Sequence, residues 1–242
     1  MLIEEITMRG FEQGVKKTQT VLVPVGSVEE HGNHLPLATD TLQVYELAKR
    51  VAETAKVLVA PPIYYGVLRS TRDHPGSVGI SAETLRVLIR DIVHSLYRQG
   101  LRRFIIISGH GGSMHVAALR EVGELLLKEL DGIALAVLSI LDLVTEEVFQ
   151  WIETRNDAHA GEVETSVMKF IKPDLVQGTS KAEFPSFPEP ILVGNPKKYW
   201  PGGVWGDPSK GNEEKGRRLI EHGVAKVCDL IREIEAYPDS IS

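Results

Sequence analysis

The sequence predicts an α/β fold in which a parallel or mostly parallel sheet is covered by helices on both faces. Two observations carry this prediction. Short apolar runs, rich in β-branched residues, alternate along the chain with longer segments of helical periodicity. The runs are apolar throughout instead of alternately apolar and polar, which is typical of strands that are buried on both faces.

The predicted strands are these apolar runs: 20–25, 56–60, 103–108 and 133–140. Helical patterns occupy 41–55, 82–99, 114–130, 142–153, 162–171 and 212–236. The second of these helices has the clearest ends, because Ser81 is a suitable N-cap, Glu83 follows in the first turn and Gly100 stops the helix.

The segment 178–211 differs from the rest of the chain. It is rich in proline and glycine and contains two of the three tryptophans, Trp200 and Trp205. One interpretation is a mobile tail, and the other is an ordered loop that packs over a site or against another subunit. We favour the ordered loop because a segment of this length is uncommon as a plain connector. With no repeat and no linker, we expect residues 1–242 to form one domain.

Composition and charge exclude several classes of protein. The net charge is −6 and no long block of lysine and arginine occurs, so we expect neither a nucleic acid nor a membrane as partner. Cys228 is the single cysteine, which rules out a disulfide within the chain, and its helical context predicts a packed thiol. The chain has neither a signal segment nor an apolar run long enough to span a membrane, so we expect a cytoplasmic protein.

Acids and histidines cluster where predicted strands end. The stretch "GSVEEHGNHLPLATD" (26–40) follows the first strand, and "SGHGGSMH" (108–115) follows another. A third polar stretch, "NDAHAGEVETS" (156–166), precedes a predicted helix. Because sites in open α/β sheets form outside the carboxyl ends of the strands, we expect the first two stretches to share one edge.

Four side chains in these stretches are of the kinds that hold zinc, manganese or iron(II): Glu29, His31, Asp40 and His110. Taken singly, Asp40 also suits a helix N-cap, and a histidine after a strand is often structural. Together they favour a metal site, because clustered carboxylates repel one another and lose solvation unless a cation offsets them. Gly111 and Gly112 leave a phosphate cradle as the competing interpretation.

Four motifs together resemble the creatininase family of metal-dependent amidohydrolases. They are "VPVGSVEEHGNHLPLATDT", "SGHGGS", "HAGEVETS" and "GVWGDPSKGNEEKG", and the resemblance runs from about residue 3 to 235. It implies a three-layer α/β/α sandwich around a mainly parallel sheet. It also implies a homohexamer with one or two divalent metal ions, zinc, manganese or iron(II), in each subunit.

The resemblance assigns roles residue by residue. Glu29, His31, Asp40 and His110 match the family's metal ligands, with Asp40 at the position that bridges two ions. His159 matches a histidine that acts as acid–base group on the leaving nitrogen. Glu164 also matches the family pattern and is assigned to catalysis without a defined role.

Two departures from the family pattern concern the ligands and the substrate. The creatinine-hydrolysing members place a ligating Glu where this chain has Gly112, and we expect Glu162 to supply the missing ligand. The alternative is that Glu162 is a first-turn acid favoured by the helix dipole. The same members carry tryptophans where this chain has Leu141 and Arg155, so creatinine is not the expected substrate.

The predicted reaction is the hydrolysis of a non-peptide carbon–nitrogen bond, in a small cyclic amide or a formamide, by metal-activated water. Alternatives within the family are deformylation of a formylaminopyrimidine ribonucleotide, with Arg69, Arg72 or Arg155 on the phosphate, and trimming of a peptide. His34 could support a ligand, contact substrate or be merely solvated. Outside the family the alternatives are a non-catalytic binding protein with a structural metal and a phosphate-handling enzyme.

Overall fold

The computed structural model describes residues 1–237 and contains a four-stranded parallel sheet of order β2-β1-β3-β4. The strands are β1 (Thr20–Val25), β2 (Leu58–Val59), β3 (Arg103–Ser108) and β4 (Ala134–Ser139). Residues 238–242 of the expected single domain lie outside the described residues. The prediction of β1 and β3 is confirmed to the residue. β2 is shorter than its apolar run at both ends. Lys56 is still the C-cap of α2, and Pro61 and Pro62, which follow Ala60, have no amide to donate to a ladder.

The helices are α1 (Met8–Lys17), α2 (Thr39–Ala55), α3 (Ala82–Arg98), α4 (Ser113–Glu129), α5 (Glu162–Ile171) and α6 (Glu213–Ala236). Five of the six predicted helical segments therefore appear, and Ser81 caps α3 by accepting from the Thr84 amide. The sequence patterns did not reveal α1.

The predicted helix over 142–153 is wrong. This part of the chain forms two short 3-10 turns, Ile140–Leu143 and Val148–Gln150. At the end of β4, the Asp142 carboxylate accepts from the Ser139 amide at 2.7 Å and from the Ser139 hydroxyl at 3.3 Å. Together with the Asp142 amide, these groups form a capping box at Ser139, which starts the first 3-10 turn, but the chain does not continue from it as an α-helix.

The core consists of two apolar layers, one on each face of the sheet. Alternate residues of each central strand enter different layers, since Val21 and Ile106 face α3 and α4, whereas Leu22 and Ile105 face α2 and α6. The predicted three-layer α/β/α sandwich is thereby confirmed. Cys228 packs in the layer beneath α6, as predicted for a structural thiol.

At the carboxyl edge of the sheet, two glycines let loops pack closely against the start of α2. A Cβ on Gly109 would lie 2.0 Å from the Asp40 carbonyl oxygen, so only glycine lets the loop after β3 reach the first turn of α2. A Cβ on Gly26 would lie 2.1 Å from the Thr41 hydroxyl oxygen. These two glycines bring the loops after β1 and β3 against the same end of α2. Within the described residues, no helix combines the length and the apolar character needed to cross a membrane.

We expect Gly216→Ala to lower the free energy of unfolding by about 2 kcal/mol. Its Cβ would lie 1.9 Å from the Ser166 carbonyl oxygen, so α6 would have to move away from α5. That cost exceeds the roughly 1 kcal/mol that alanine gains over glycine inside a helix. Urea unfolding would measure the change. Gly194→Ala is the control, because no atom lies within 4 Å of its Cβ position; equal loss in both variants would contradict the close packing of α5 on α6.

Candidate metal centre

Five of the predicted site residues meet in one buried cluster at the carboxyl edge of the sheet. Glu29 and His31 lie in the segment after β1, Asp40 in the first turn of α2, and His110 after β3. The fifth, Glu164, lies in the first turn of α5. The structure therefore gathers donors from four separate segments of the chain.

The first group of donors comprises Glu29, Asp40 and His110, whose ligand atoms lie within 4.8 Å of one another. Nδ1 of His110 is 2.8 Å from Oε2 of Glu29 and 3.1 Å from Oδ2 of Asp40. The carboxylates are themselves held, since the Ser27 hydroxyl donates to Asp40 at 2.6 Å and the Thr71 hydroxyl donates to Glu29. Each donor is thus oriented by a second polar contact.

The second group comprises His31, Asp40 and Glu164. Nε2 of His31 is 3.1 Å from Oδ1 of Asp40 and 3.7 Å from Oε2 of Glu164. On its other side, His31 Nδ1 lies 3.0 Å from the Glu29 carbonyl, to which it donates. Asp40 therefore turns one oxygen to each group, which is the geometry of a carboxylate shared by two cation sites.

The charge in this cluster suits a divalent cation. Burial alone would lower the pKa values of His31 and His110. Asp40 and Glu164 instead raise the pKa of His31 well above its usual range, and Glu29 and Asp40 do the same for His110. Burial likewise opposes ionisation of Asp40, yet the two imidazoles hold its pKa well below the usual value. Carboxylates that stabilise a positive charge on an imidazole would also stabilise a metal ion. The ion would replace the proton, because a metal binds the neutral imidazole nitrogen. The mixed N and O donor set fits zinc, manganese or iron(II).

His159 lies beside the second group. Its ring stacks on the His31 ring with centroids 4.2 Å apart, and it forms a further possible donor group with Glu29 and His31. Nε2 of His159 donates to the Glu30 carbonyl at 2.8 Å, and the Glu30 carboxylate oxygen Oε1 lies 3.6 Å from the same nitrogen. Burial and His31 lower the pKa of His159, but contact with Glu30, Glu29 and Glu164 raises it overall.

The segment 178–211 packs directly against these residues. The Trp205 amide donates to the His159 carbonyl at 2.7 Å, and a His159–Trp205 bridge forms between the two main chains. Trp200 is buried, and its carbonyl accepts from His74 at 2.7 Å. This segment therefore holds the main chain of His159 in place beside the cluster.

His34 is buried instead of solvated. Its Nε2 lies 2.8 Å from the Thr165 hydroxyl and its Nδ1 lies 3.0 Å from the Ser180 hydroxyl. Burial, followed by repulsion from His31, lowers the pKa of His34 to about 4, so the ring is neutral. Of the roles open from sequence, this geometry favours support: His34 ties the loop after β1 to α5.

Glu162 does not join the cluster, which corrects the sequence-based expectation. Its carboxylate accepts from the Glu153 and Thr154 amides and from Nζ of Lys215 at 2.5 Å. Burial opposes ionisation, but these donors keep the pKa of Glu162 below its usual value. All of its bonds serve the turn before α5 and the start of α6. Glu164, two residues further along the helix, is the acid of α5 that lies beside His31.

The structure also explains Gly112 and shows that Asp40 does not cap α2. A Cβ on Gly112 would lie 2.3 Å from Nε2 of His110, so the imidazole fills the space that a side chain there would need. Asp40 is not the N-cap of α2, because that position is Ala38 and no side chain caps it. The carboxylate of Asp40 faces the two imidazoles instead.

Sequence reasoning missed the residues that orient the donors. Thr71 and Gln43 are single polar residues, one in an irregular loop and one on a helix, and neither belongs to a repeated pattern. Gln43 donates to Oε1 of Glu164 at 3.3 Å and to the Gly109 carbonyl at 3.2 Å. Burial of a polar residue on an apolar helix face is the only signal that could have drawn attention to Gln43.

Comparison with known proteins agrees with this geometry. The Creatininase family model, described as creatinine amidohydrolase, matches residues 4–231. Creatinine amidohydrolase of Pseudomonas putida is 30% identical over 254 residues, which cover 96% of each chain. Mycofactocin precursor peptide peptidase of Mycolicibacterium smegmatis is 32% identical over 224 residues, which cover 88% of this chain and 84% of the relative.

Solved structures give the same result. A tryptophan-to-phenylalanine mutant of creatininase matches with a TM-score of 0.89 at 28% identity, covering 98% of this chain and 99% of the other. A creatininase mutant described as the Zn-Zn type covers 98% of both chains with a TM-score of 0.85 at 28% identity. A creatininase described with Mn has the same TM-score and identity, over 98% of this chain and 99% of its own.

We expect Glu164→Gln to lose about one metal equivalent per subunit, because the substitution removes an anionic donor from the group that contains His31 and Asp40. Glu162→Gln should keep its metal but unfold more easily, since it leaves Lys215 without its buried partner. Elemental mass spectrometry and urea unfolding measure the two effects. Loss of metal from Glu162→Gln with full retention in Glu164→Gln would reverse the assignment.

Proposed function

This chain belongs to the creatininase family, and we propose that it hydrolyses a non-peptide carbon–nitrogen bond in a small cyclic amide or a formamide. As a member of that family it is a metal-dependent hydrolase of carbon–nitrogen bonds. The observation that carries the proposal is the position of Asp40, whose two carboxylate oxygens face two imidazoles from different loops.

The two donor groups give the proposed ligand sets. Glu29, Asp40 and His110 would hold one ion, and His31, Asp40 and Glu164 would hold the other. A divalent ion bound there supplies a water of near-neutral pKa and polarises the substrate carbonyl. Each group offers three protein donors, which is the number typical of catalytic zinc sites; a structural site is closed by four. This count favours catalysis over a non-catalytic metal-binding protein.

His159 is the proposed acid–base group. Glu30 and the neighbouring carboxylates favour its protonated form, and its position against His31 puts the ring at the border of the cluster. A nitrogen leaving group departs poorly unless it receives a proton. We therefore assign His159 to proton delivery to that nitrogen. We assign Glu164 to holding the ion beside His31, which gives this residue the defined role that it lacked.

The cavities beside the cluster bear on the substrate. One of 270 Å³ is lined mainly by apolar side chains and has Gln43 and Glu164 on its wall. Leu141 lines the same cavity, and its side chain lies close to Gly111, beside His110. An apolar space of this size next to the donors suits an uncharged organic group on a small amide, and Leu141 offers no aromatic ring for creatinine.

A second cavity, of 490 Å³, keeps the other family substrates as alternatives. It is lined by Arg69, Ser70, Ser113 and by Phe187 and Trp205 of the segment 178–211. Arg69 would suit the phosphate of a formylaminopyrimidine ribonucleotide, and a cavity of this volume would also admit a short stretch of peptide. Arg72 is already bonded to the Gly194 carbonyl and lies near Asp73. We rank both alternatives below the small amide.

A phosphate-handling enzyme is the weakest alternative. Nδ1 of His110, in the proposed phosphate loop, lies 2.8 Å from the carboxylate of Glu29. An anion bound at that loop would meet two carboxylates nearby, those of Glu29 and Asp40, and like charges repel strongly in a buried site.

We also propose that the chain acts as a single creatininase-like domain in a cytoplasmic homo-oligomer, with a homohexamer as the family expectation. Large apolar side chains of the segment 178–211, among them Ile191 and Leu192, are exposed and suit burial against another subunit.

Metal removal tests the proposed function. Protein purified without chelator should carry one or two equivalents of zinc, manganese or iron and should hydrolyse members of a panel of cyclic amides, formamides and short peptides. Chelator should abolish turnover and the same metal should restore it. His110→Ala should lose metal, with the surface variant His94→Leu as control. Metal-free protein that takes up no ion on titration, or turnover that survives its removal, would refute the proposal.

We expect His159→Ala to retain its metal and to lose about 10²–10⁴-fold in the single-turnover rate, the usual contribution of a general acid. The loss should be smaller for substrates with better leaving groups, which need less help from a proton donor. Loss of metal in this variant would show instead that His159 is a ligand with Glu29 and His31. A normal rate would remove His159 from the mechanism.

A further inference from the structure

We infer that His115 is a positioning residue for the metal centre, and that it acts through the main chain of Val67 to fix which nitrogen of His110 faces the metal. The inference rests on the proposed ligand role of His110. His115 lies in α4, is fully buried and is not one of the proposed ligands or acid–base groups.

The contacts run in sequence from α4 to the cluster. The Val67 amide donates to Nδ1 of His115 at 3.1 Å. In turn, Nε2 of His110 lies 3.3 Å from the Val67 carbonyl, to which it donates. A ring that donates through Nε2 presents the lone pair of Nδ1, and Nδ1 of His110 is the atom that faces Glu29 and Asp40.

The two ligating histidines differ in how their outer nitrogen is held. His31 donates to the carbonyl of Glu29, two residues away in the same segment. His110 depends on Val67, which lies in the irregular stretch 60–81 between β2 and α3. The same stretch carries Thr71, which donates to Glu29. A residue that anchors this stretch therefore helps to orient both His110 and Glu29.

His115 is well placed to be that anchor, because its backbone belongs to a long helix. Gly66 makes the contact possible, since a Cβ there would lie 2.9 Å from Nδ1 of His115. Nδ1 accepts a hydrogen bond from the Val67 amide, so the neutral ring must carry its hydrogen on Nε2. That Nε2 is buried and, among the described residues, has no hydrogen-bond partner. A buried N–H without a partner costs free energy, and an apolar side chain would avoid that cost. The imidazole is therefore best explained by the hydrogen bond that Nδ1 accepts.

The test compares His115→Leu with His115→Asn, two side chains of similar shape of which only Asn can accept from the Val67 amide. Zinc affinity, measured by competition with a fluorescent chelator, should fall about 10–100-fold in His115→Leu and recover largely in His115→Asn. His94→Leu, a change of a partly exposed histidine on α3 that bonds Glu129, should leave the affinity unchanged. Cobalt-substituted protein should show an altered absorption spectrum in His115→Leu alone.

Two results would overturn the inference. One is an unchanged zinc affinity in both His115 variants, and the other is an equal loss in both, which would mean that His115 supports the site only by filling space. Nitrogen NMR of the imidazoles of the zinc-loaded wild type is independent of any variant's folding. It should show hydrogen on Nε2 of both His110 and His115, and metal on Nε2 of His110 would also overturn the inference. If His110→Ala keeps its zinc, the proposed ligand set is wrong. That result concerns the proposed function and differs from the results that would overturn the role of His115.

Discussion

Three carboxylates are buried at the carboxyl edge of the sheet, with those of Glu29 and Glu164 each within 4.8 Å of Asp40, and this edge is organised around their charge. A buried carboxylate without a partner is strongly destabilising. Here each receives a donor from a different segment: the Thr71 hydroxyl for Glu29, the Ser27 hydroxyl for Asp40, and the Gln43 side-chain amide for Glu164. Segments distant in sequence are thereby drawn together, and the donor groups for a divalent ion result from the same contacts.

Much of the sheet and of this cluster could be predicted from sequence because both depend on simple local rules. β1 and β3 are unbroken apolar runs, and the polar residues that directly follow such runs meet at one edge of a parallel sheet. Glu29, His31, Asp40 and His110 were found in this way. The helix predicted over 142–153 is wrong because the apolar residues of this segment, Val144, Val148 and Phe149 among them, line a cavity next to Glu164 from two short turns, and an apolar pattern does not distinguish such a wall from a helix face.

Glu162 and Glu164 show where local rules stop. Both lie in the first turn of α5, and both are acids in a family motif, yet two residues along a helix turn a side chain by about 200°. Which one meets the donors depends on how the helix is rotated, and tertiary contacts set that rotation. Asp157 accepts from the Glu162 and Val163 amides, and Lys215 of α6 bonds the Glu162 carboxylate. None of these partners can be placed without the fold.

Because Glu164 comes from α5, the cluster connects the loops above the sheet to a helix. A ligand at position 112 would come from the loop after β3, which already supplies His110, and the site would then involve only the loops above the sheet. Gly112 cannot carry that ligand, because the His110 ring fills the space. Glu164 belongs to α5, which packs closely on α6 at Gly216. The donors are therefore joined to the helical layer on one side and, through His110, Val67 and His115, to α4 on the other. Asp40 belongs to both donor groups, so the contacts that come from the two helical layers share its carboxylate.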